Sequence, residues 1–154
     1  MNKRLKKILI VILVLVLLLV GGFYGYVSVY YRADATTAQV LVNKETVQQK
    51  GNCILLKPDA PTGPQLIFCP GAKVEYLAYL PLLQQITKTS GINVILVKMP
   101  FNLAIFDAGA AEGIMKQYPN TRNWFIGGHS LGGAMASDYA SKHPDQVKGL
   151  ILLG

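Results

Sequence analysis

The sequence predicts an α/β domain, built on a doubly wound and mostly parallel sheet, behind one transmembrane helix. Three observations predict it. Residues 1–31 are a basic cluster followed by an unbroken apolar run. Beyond them, short apolar runs alternate with helix-like stretches, the order that builds a parallel sheet covered by helices on both faces. One of the strand-to-helix turns reads Gly128-His129-Ser130-Leu131-Gly132, a serine framed by glycines.

The leader comes first. Lys3, Arg4, Lys6 and Lys7 precede "ILIVILVLVLLLV" (Ile8 to Val20), and no charge appears from Ile8 through Tyr31. As a helix that stretch would span about 36 Å, enough for a hydrocarbon core of roughly 30 Å. Tyr24, Tyr26, Tyr30 and Tyr31 gather at its far end, where aromatic rings favour the membrane interface. The positive-inside rule keeps the basic end cytoplasmic. Residues 1–31 are therefore expected to form a single-pass signal anchor, 32–37 a linker and 38–154 an extracytoplasmic domain. A cleaved signal peptide, leaving a secreted protein, is the alternative. "VGG" at Val20–Gly22 or "ADA" at Ala33–Ala35 would mark the cut.

The whole chain carries 15 Lys and Arg against 8 Asp and Glu, a net +7. Without the four basic residues of the leader the balance is 11 against 8, or +3. That is an ordinary surface, so no nucleic-acid partner is expected.

In the domain, "AQVLV" (38–42), "TVQQK" (46–50) and "NCILLKP" (52–58) read as short strands. "PDAPTGP" (58–64) is a loop, and "QLIFC" (65–69) a compact apolar strand. A helix is predicted from about Leu77 to Lys88, with Pro81 tolerable only in its first turn. "INVILVK" (92–98) reads as a strand buried on both faces. Asn102 is placed to cap a helix over 103–118, which Gly109 and Gly113 weaken. "NWFIGG" (123–128) is a strand, Leu131 to Lys142 a helix ended by Pro144, and "GLILL" (149–153) a last strand.

Chemistry in such sheets gathers at the carboxyl ends of the strands. The turn at 128–132 matches G-x-S-x-G, the nucleophile elbow. The serine occupies a sharp, strained turn, and side chains two before and two after it would strike neighbouring backbone. Gly128 and Gly132 meet that need, with His129 packing or hydrogen bonding beside the turn. Ser130 is the candidate nucleophile, and the Leu131 N–H, at the positive end of a helix dipole, a candidate oxyanion donor. The loop lacks the spacing of a P-loop or a dinucleotide site. No metal-ligand spacing is present, and no metal or cofactor is expected.

"FCPGAKVEYLAYLPLL", "VILVKMPFNLAIF" and "WFIGGHSLGGAMASDYA" together resemble the alpha/beta-hydrolase superfamily. Within it they look most like a small, often membrane-anchored family related to dienelactone hydrolases and carboxylesterases. The resemblance covers residues 38 to 154. It implies a sheet of the alpha/beta-hydrolase type and a serine hydrolase acting on a small-molecule substrate, an ester. It also implies that Pro70 to Val74 form the oxyanion loop, with the second donor the N–H of Ala72 or of Lys73. In this superfamily the triad runs Ser, then Asp or Glu, then His, and the last two follow strands beyond "GLILL". Neither is present here. His143 lies a helix length from Ser130, about 20 Å, and Asp107 and Asp138 have no histidine to orient. Lys73, the remaining candidate base, reads instead as a rim charge. The sheet is thus expected to be incomplete, and the chain alone inactive, the front part of a longer hydrolase. A naturally shortened inactive relative, or a partner chain supplying the missing strands, are the alternatives. A non-catalytic envelope protein that keeps the scaffold for binding is the second function class. With the family's strand order 1-2-4-3-5-6, Cys53 and Cys69 stand two strand spacings apart. That is about 9.6 Å, beyond the roughly 7 Å limit for a disulfide, so both are expected to be free thiols.

The leader generates a first prediction. The chain should fractionate with membranes and resist carbonate extraction, its C-terminal part open to external protease. A soluble mature form starting near Gly22 or at Thr36 would instead identify a cleaved signal.

Overall fold

The computed structural model describes residues 2–61 and 63–154. The chain divides into two compact units, Met1–Tyr30 and Tyr31–Gly154. The first is a single helix, α1 (Lys3–Ser28). Asn2 caps it by accepting the Arg4 N–H at 3.2 Å. An 18-residue window of α1 has a mean hydropathy of 3.0, and the helix is long and apolar enough to cross a membrane.

The second unit opens with α2 (Ala35–Val42), β1 (Val47–Lys50), β2 (Cys53–Leu56) and β3 (Gln65–Cys69). It continues with α3 (Leu80–Ser90), β4 (Asn93–Val97), α4 (Ala110–Gln117), β5 (Trp124–His129), α5 (Leu131–Lys142) and β6 (Val147–Leu153). The strands form one sheet in the order β1-β2-β4-β3-β5-β6. β3 pairs in parallel with β4 and β5, and β5 with β6. β1 and β2, and β2 and β4, are antiparallel. The fold is the mostly parallel α/β sheet that the sequence predicts.

Alternation along β3 explains why Leu66 to Cys69 are all apolar. Leu66 and Phe68 point to one face, packing with Ile54, Leu56, Val94 and Leu96 of the neighbouring strands, Val40 of α2 and Leu80 and Leu83 of α3. Ile67 and Cys69 point to the other, with Ile95, Val97, Ile114 of α4 and Ala136 and Tyr139 of α5. A strand covered on both faces has no position for a polar side chain.

Three expectations are corrected. "AQVLV" is helical, not a strand. Asp34 accepts the Thr36 N–H at 2.9 Å, and Thr37 and Val40, three residues apart, turn inward while Val42 is 78% exposed. That is a helical period, and the first turn of α2 takes up part of the stretch expected as a linker. The helix expected over 103–118 is broken: a 3₁₀ turn spans Ala104–Asp107, and α4 begins only after Gly109. Asn102 caps nothing, because Phe101 and Asn102 both have positive φ, 54° and 55°, and a right-handed helix cannot grow from two left-handed residues. The helix expected from Leu77 starts as a 3₁₀ turn at Tyr76–Tyr79, and α3 proper places Pro81 in its first turn. There the missing N–H has no intrahelical partner to lose.

Val97 of β4 pairs with Cys53, and Leu96 pairs with Phe68, so β4 stands between the two cysteines. Both are free thiols. Burial pushes the Cys69 thiol up to about 12, with the Asp107 carboxylate adding to it, so Cys69 stays protonated at any physiological pH.

The packing around β3 sets a second prediction. Ile67, wholly buried, should cost about 2–5 kcal/mol when replaced by Ala. Urea unfolding of the Tyr31–Gly154 unit should show a lower midpoint at unchanged slope.

Candidate active site

β5 and α5 are joined by the single residue Ser130, with φ 49° and ψ −120°. A non-glycine residue there is strained, by about 1–3 kcal/mol. The strain persists because the neighbours fix it from both sides. The Ser130 N–H donates to the Leu153 carbonyl of β6 at 3.1 Å, and the Ser130 carbonyl accepts the Ala134 N–H at 2.9 Å. Ser130 is exposed, while Gly128 and Gly132 are buried.

The flanking glycines are required by contact. A Cβ on Gly128 would lie 2.5 Å from the Gly132 carbonyl carbon and 2.6 Å from the Cys69 oxygen. A Cβ on Gly132 would lie inside the contact radii of the Cys69 and Pro70 carbonyl oxygens. The first turn of α5 therefore rests directly on the end of β3. At that turn the Leu131 N–H, an orphan donor of the helix terminus, has no acceptor among the described residues.

The loop after β3 is pinned at three points. The Gly71 N–H donates to Tyr79 Oη at 3.0 Å. The Lys73 N–H donates to the Asn102 carbonyl at 2.9 Å, and the Lys73 carbonyl accepts the Tyr31 N–H at 2.7 Å. Lys73 has a φ of 56°. Of the two donors left open by the sequence, the Lys73 N–H is already engaged. The Ala72 N–H has no acceptor among the described residues. The segment Tyr31–Ala33 runs beside this loop: the Glu75 N–H donates to the Tyr31 carbonyl at 2.8 Å, and the Ala33 N–H to Glu75 Oε2 at 2.9 Å.

His129 turns away from the serine. Its Nδ1 lies 2.8 Å from Tyr79 Oη. His143, at the far end of α5, stacks on Tyr139 with ring centroids 4.3 Å apart. Asp138 pairs with Lys142 at 2.7 Å on the exposed side of the same helix. Among the described residues the Ser130 hydroxyl has no hydrogen-bond partner, and no group of three His, Cys, Asp or Glu is placed to hold a metal ion.

Tyr79, Asn102 and the Tyr31–Ala33 segment escape a reading of the sequence. Tyr79 contacts His129 across 50 positions and Ala33 contacts Glu75 across 42, and no local pattern announces either.

A serine raised on a strained turn, over the carboxyl edge of a mostly parallel sheet and beside an open backbone amide, defines the layout of an α/β-hydrolase fold. The chain belongs to the alpha/beta hydrolase family, whose family model matches residues 65–154. Among the curated proteins none matches the sequence. Solved structures share the fold. The Francisella virulence factor BioJ is 17% identical with a TM-score of 0.57, covering 69% of this chain and 42% of its own. A hormone-sensitive lipase from a metagenome library is 19% identical with a TM-score of 0.55, covering 77% and 50%. A highly thermostable carboxyl esterase from Bacillus coagulans is 20% identical with a TM-score of 0.53, covering 69% and 42%. The chain thus spans half or less of the length of these structures.

The packing at the elbow yields a third prediction. Gly132→Val should destabilise the domain by about 3 kcal/mol through collision with fixed carbonyls. Gly113→Ala in α4, where a Cβ meets nothing within 4 Å, should stabilise by about 0.5–1 kcal/mol. Thermal melts of the two variants should move in opposite directions.

Proposed function

We propose that this protein is the Ser130-bearing part of a serine hydrolase acting on carboxylic esters. The observation that carries the reading is the backbone of Ser130, at φ 49° and ψ −120° between β5 and α5. Strain of that kind is retained where a side chain must be presented. In the proposed reaction Ser130 Oγ attacks the ester carbonyl and forms an acyl-enzyme. Its proton passes through a base to the departing alcohol, and water then releases the acid. The carbonyl oxygen, negative in the tetrahedral intermediate, is held by the N–H groups of Leu131 and Ala72. The base and its orienting carboxylate lie outside residues 1–154 on this reading. The esterase and lipase among the structural neighbours favour an ester, and an exposed serine with two open amides suits an acyl group.

The same protein is proposed to be held at the outer face of a cell membrane by residues 1–31. The length and hydropathy of α1 support this, and so does the basic cluster before it. A non-catalytic scaffold is the second reading. It is favoured by the lack of any described partner for the Ser130 hydroxyl, since an isolated serine is a weak nucleophile.

A fourth prediction separates the two. Residues 1–154 alone should turn over short-chain p-nitrophenyl esters barely, at most about 10³–10⁴ over water, the level left when a triad member is missing. A form supplied with the acid- and histidine-bearing strands should be active, and Ser130→Ala should abolish that activity. Strong Ser130-dependent turnover by residues 1–154 would show that a base within the chain, Lys73 or His129, or one lent by a second copy of the chain, reaches the serine. A completed form with no turnover would favour the scaffold.

A further inference from the structure

We infer that Tyr79 and His129 are positioning residues: as a hydrogen-bonded pair they clamp Gly71 and fix the depth of the loop that presents the Ala72 N–H. The catalytic meaning of this clamp rests on the oxyanion-hole reading above.

The geometry begins with the loop. Ala72 sits between two amides that are pinned, Gly71 to Tyr79 Oη at 3.0 Å and Lys73 to the Asn102 carbonyl at 2.9 Å. The second pin is backbone to backbone. The first depends on a side chain that comes from the 3₁₀ turn before α3. Tyr79 is 9% exposed, its ring packed on Phe68 at 5.2 Å and on His129 at 5.9 Å between centroids. A phenol has one proton and two acceptor sites. With one site taken by the Gly71 N–H, the proton is available for His129 Nδ1 at 2.8 Å. That proton is retained, because burial raises the Tyr79 phenol above its ordinary range, against the smaller downward pull of the Gly71 N–H. With Nδ1 as the acceptor, Nε2 is the ring nitrogen that bears hydrogen.

The clamp also sets which residue fits at 71. A Cβ on Gly71 would stand 2.5 Å from His129 Nδ1 and 3.0 Å from Tyr79 Oη. The imidazole and the phenol thus stand together on the side where Gly71 would carry a Cβ, and the phenol also binds the Gly71 N–H. His129 immediately precedes Ser130. One side chain therefore registers the loop against the residue next to the candidate nucleophile, and a shift of either would be felt by the other. Tyr79 and His129 touch no reacting atom; they act through the position of Ala72.

The test is nitrogen-15 and amide-exchange NMR on the full chain in lipid nanodiscs. His129 should appear as the Nε2–H tautomer with a hydrogen-bonded Nδ1. Tyr79→Phe should raise exchange at Gly71 about ten-fold, the loss of one net hydrogen bond, and shift the Ala72 amide resonance, while amides of α4 keep their protection. His129→Leu should do the same. His129→Asn, whose side-chain oxygen stands near the place of Nδ1, should restore protection. Unchanged exchange at Gly71 with an unmoved Ala72 amide resonance in Tyr79→Phe and His129→Leu would overturn the clamp. So would a uniform rise across the domain, which marks a purely structural role, or failure of His129→Asn to rescue. Ser130→Ala should leave the pattern intact, so a loss of the esterase reading, detected by turnover, is distinct from a loss of the clamp.

Discussion

The architecture of the candidate site depends on one close approach: the first turn of α5 against the end of β3. The carbonyl oxygens of Cys69 and Pro70 occupy the space that a side chain at Gly132 would need, and the Cys69 oxygen also closes in on Gly128. Backbone therefore meets backbone, and the chain between β5 and α5 has one residue in which to reverse. That residue is forced to positive φ. A glycine would take this conformation without strain; a serine takes it at a cost that the surrounding hydrogen bonds to Leu153 and Ala134 offset. The same contact puts the N-terminus of α5, with its orphan amides, beside the loop that leaves β3. Strained serine, open Leu131 amide and adjacent loop are consequences of a single packing constraint.

The constraint was legible because it is written locally. Two glycines at fixed distance from a serine, between an apolar strand and an Ala-rich stretch, specify both the turn and the packing. β3, β4, β5 and α5 were legible for a related reason. Strands buried on both faces contain no polar interruptions, and α5 is bounded by the elbow at one end and Pro144 at the other. α2 was not legible: in "AQVLV" the apolar residues fit an alternating pattern, and only the cap by Asp34 and the inward Thr37–Val40 pair distinguish a helix. The break before α4 was half legible. Gly109 warned of it, but the two left-handed residues at 101 and 102 follow from the tertiary role of the Asn102 carbonyl, which holds Lys73. At the break before α4 a distant contact decided; at α2 a cap two residues away and two inward side chains did.

The loop at 70–73 shows the opposite economy from the elbow. The elbow is fixed by what cannot fit, the loop by what it is bonded to. Its three amides meet three different fates: Gly71 is tied to a buried phenol, Lys73 to a carbonyl of the turn after β4, and Ala72 to nothing described. An open amide between two tied ones is a preorganised donor, since its direction is set before any ligand arrives and no reorganisation is needed when charge develops.

The Tyr31–Ala33 segment adds a further constraint, on how the chain can be processed. Tyr31 exchanges hydrogen bonds with Lys73 and Glu75, and the Ala33 N–H binds the Glu75 carboxylate. A cut after Ala35 removes all three bonds, along with Asp34, the cap of α2. A cut near Gly22, or no cut, keeps them. The two cleavage places that the sequence offers are therefore not equivalent. The first would release the 70–73 loop from one of its three supports and leave the first turn of α2 uncapped, whereas the second keeps both. The domain begins, in energetic terms, at Tyr31, and the residues that looked like a tether are part of the structure that the loop stands on.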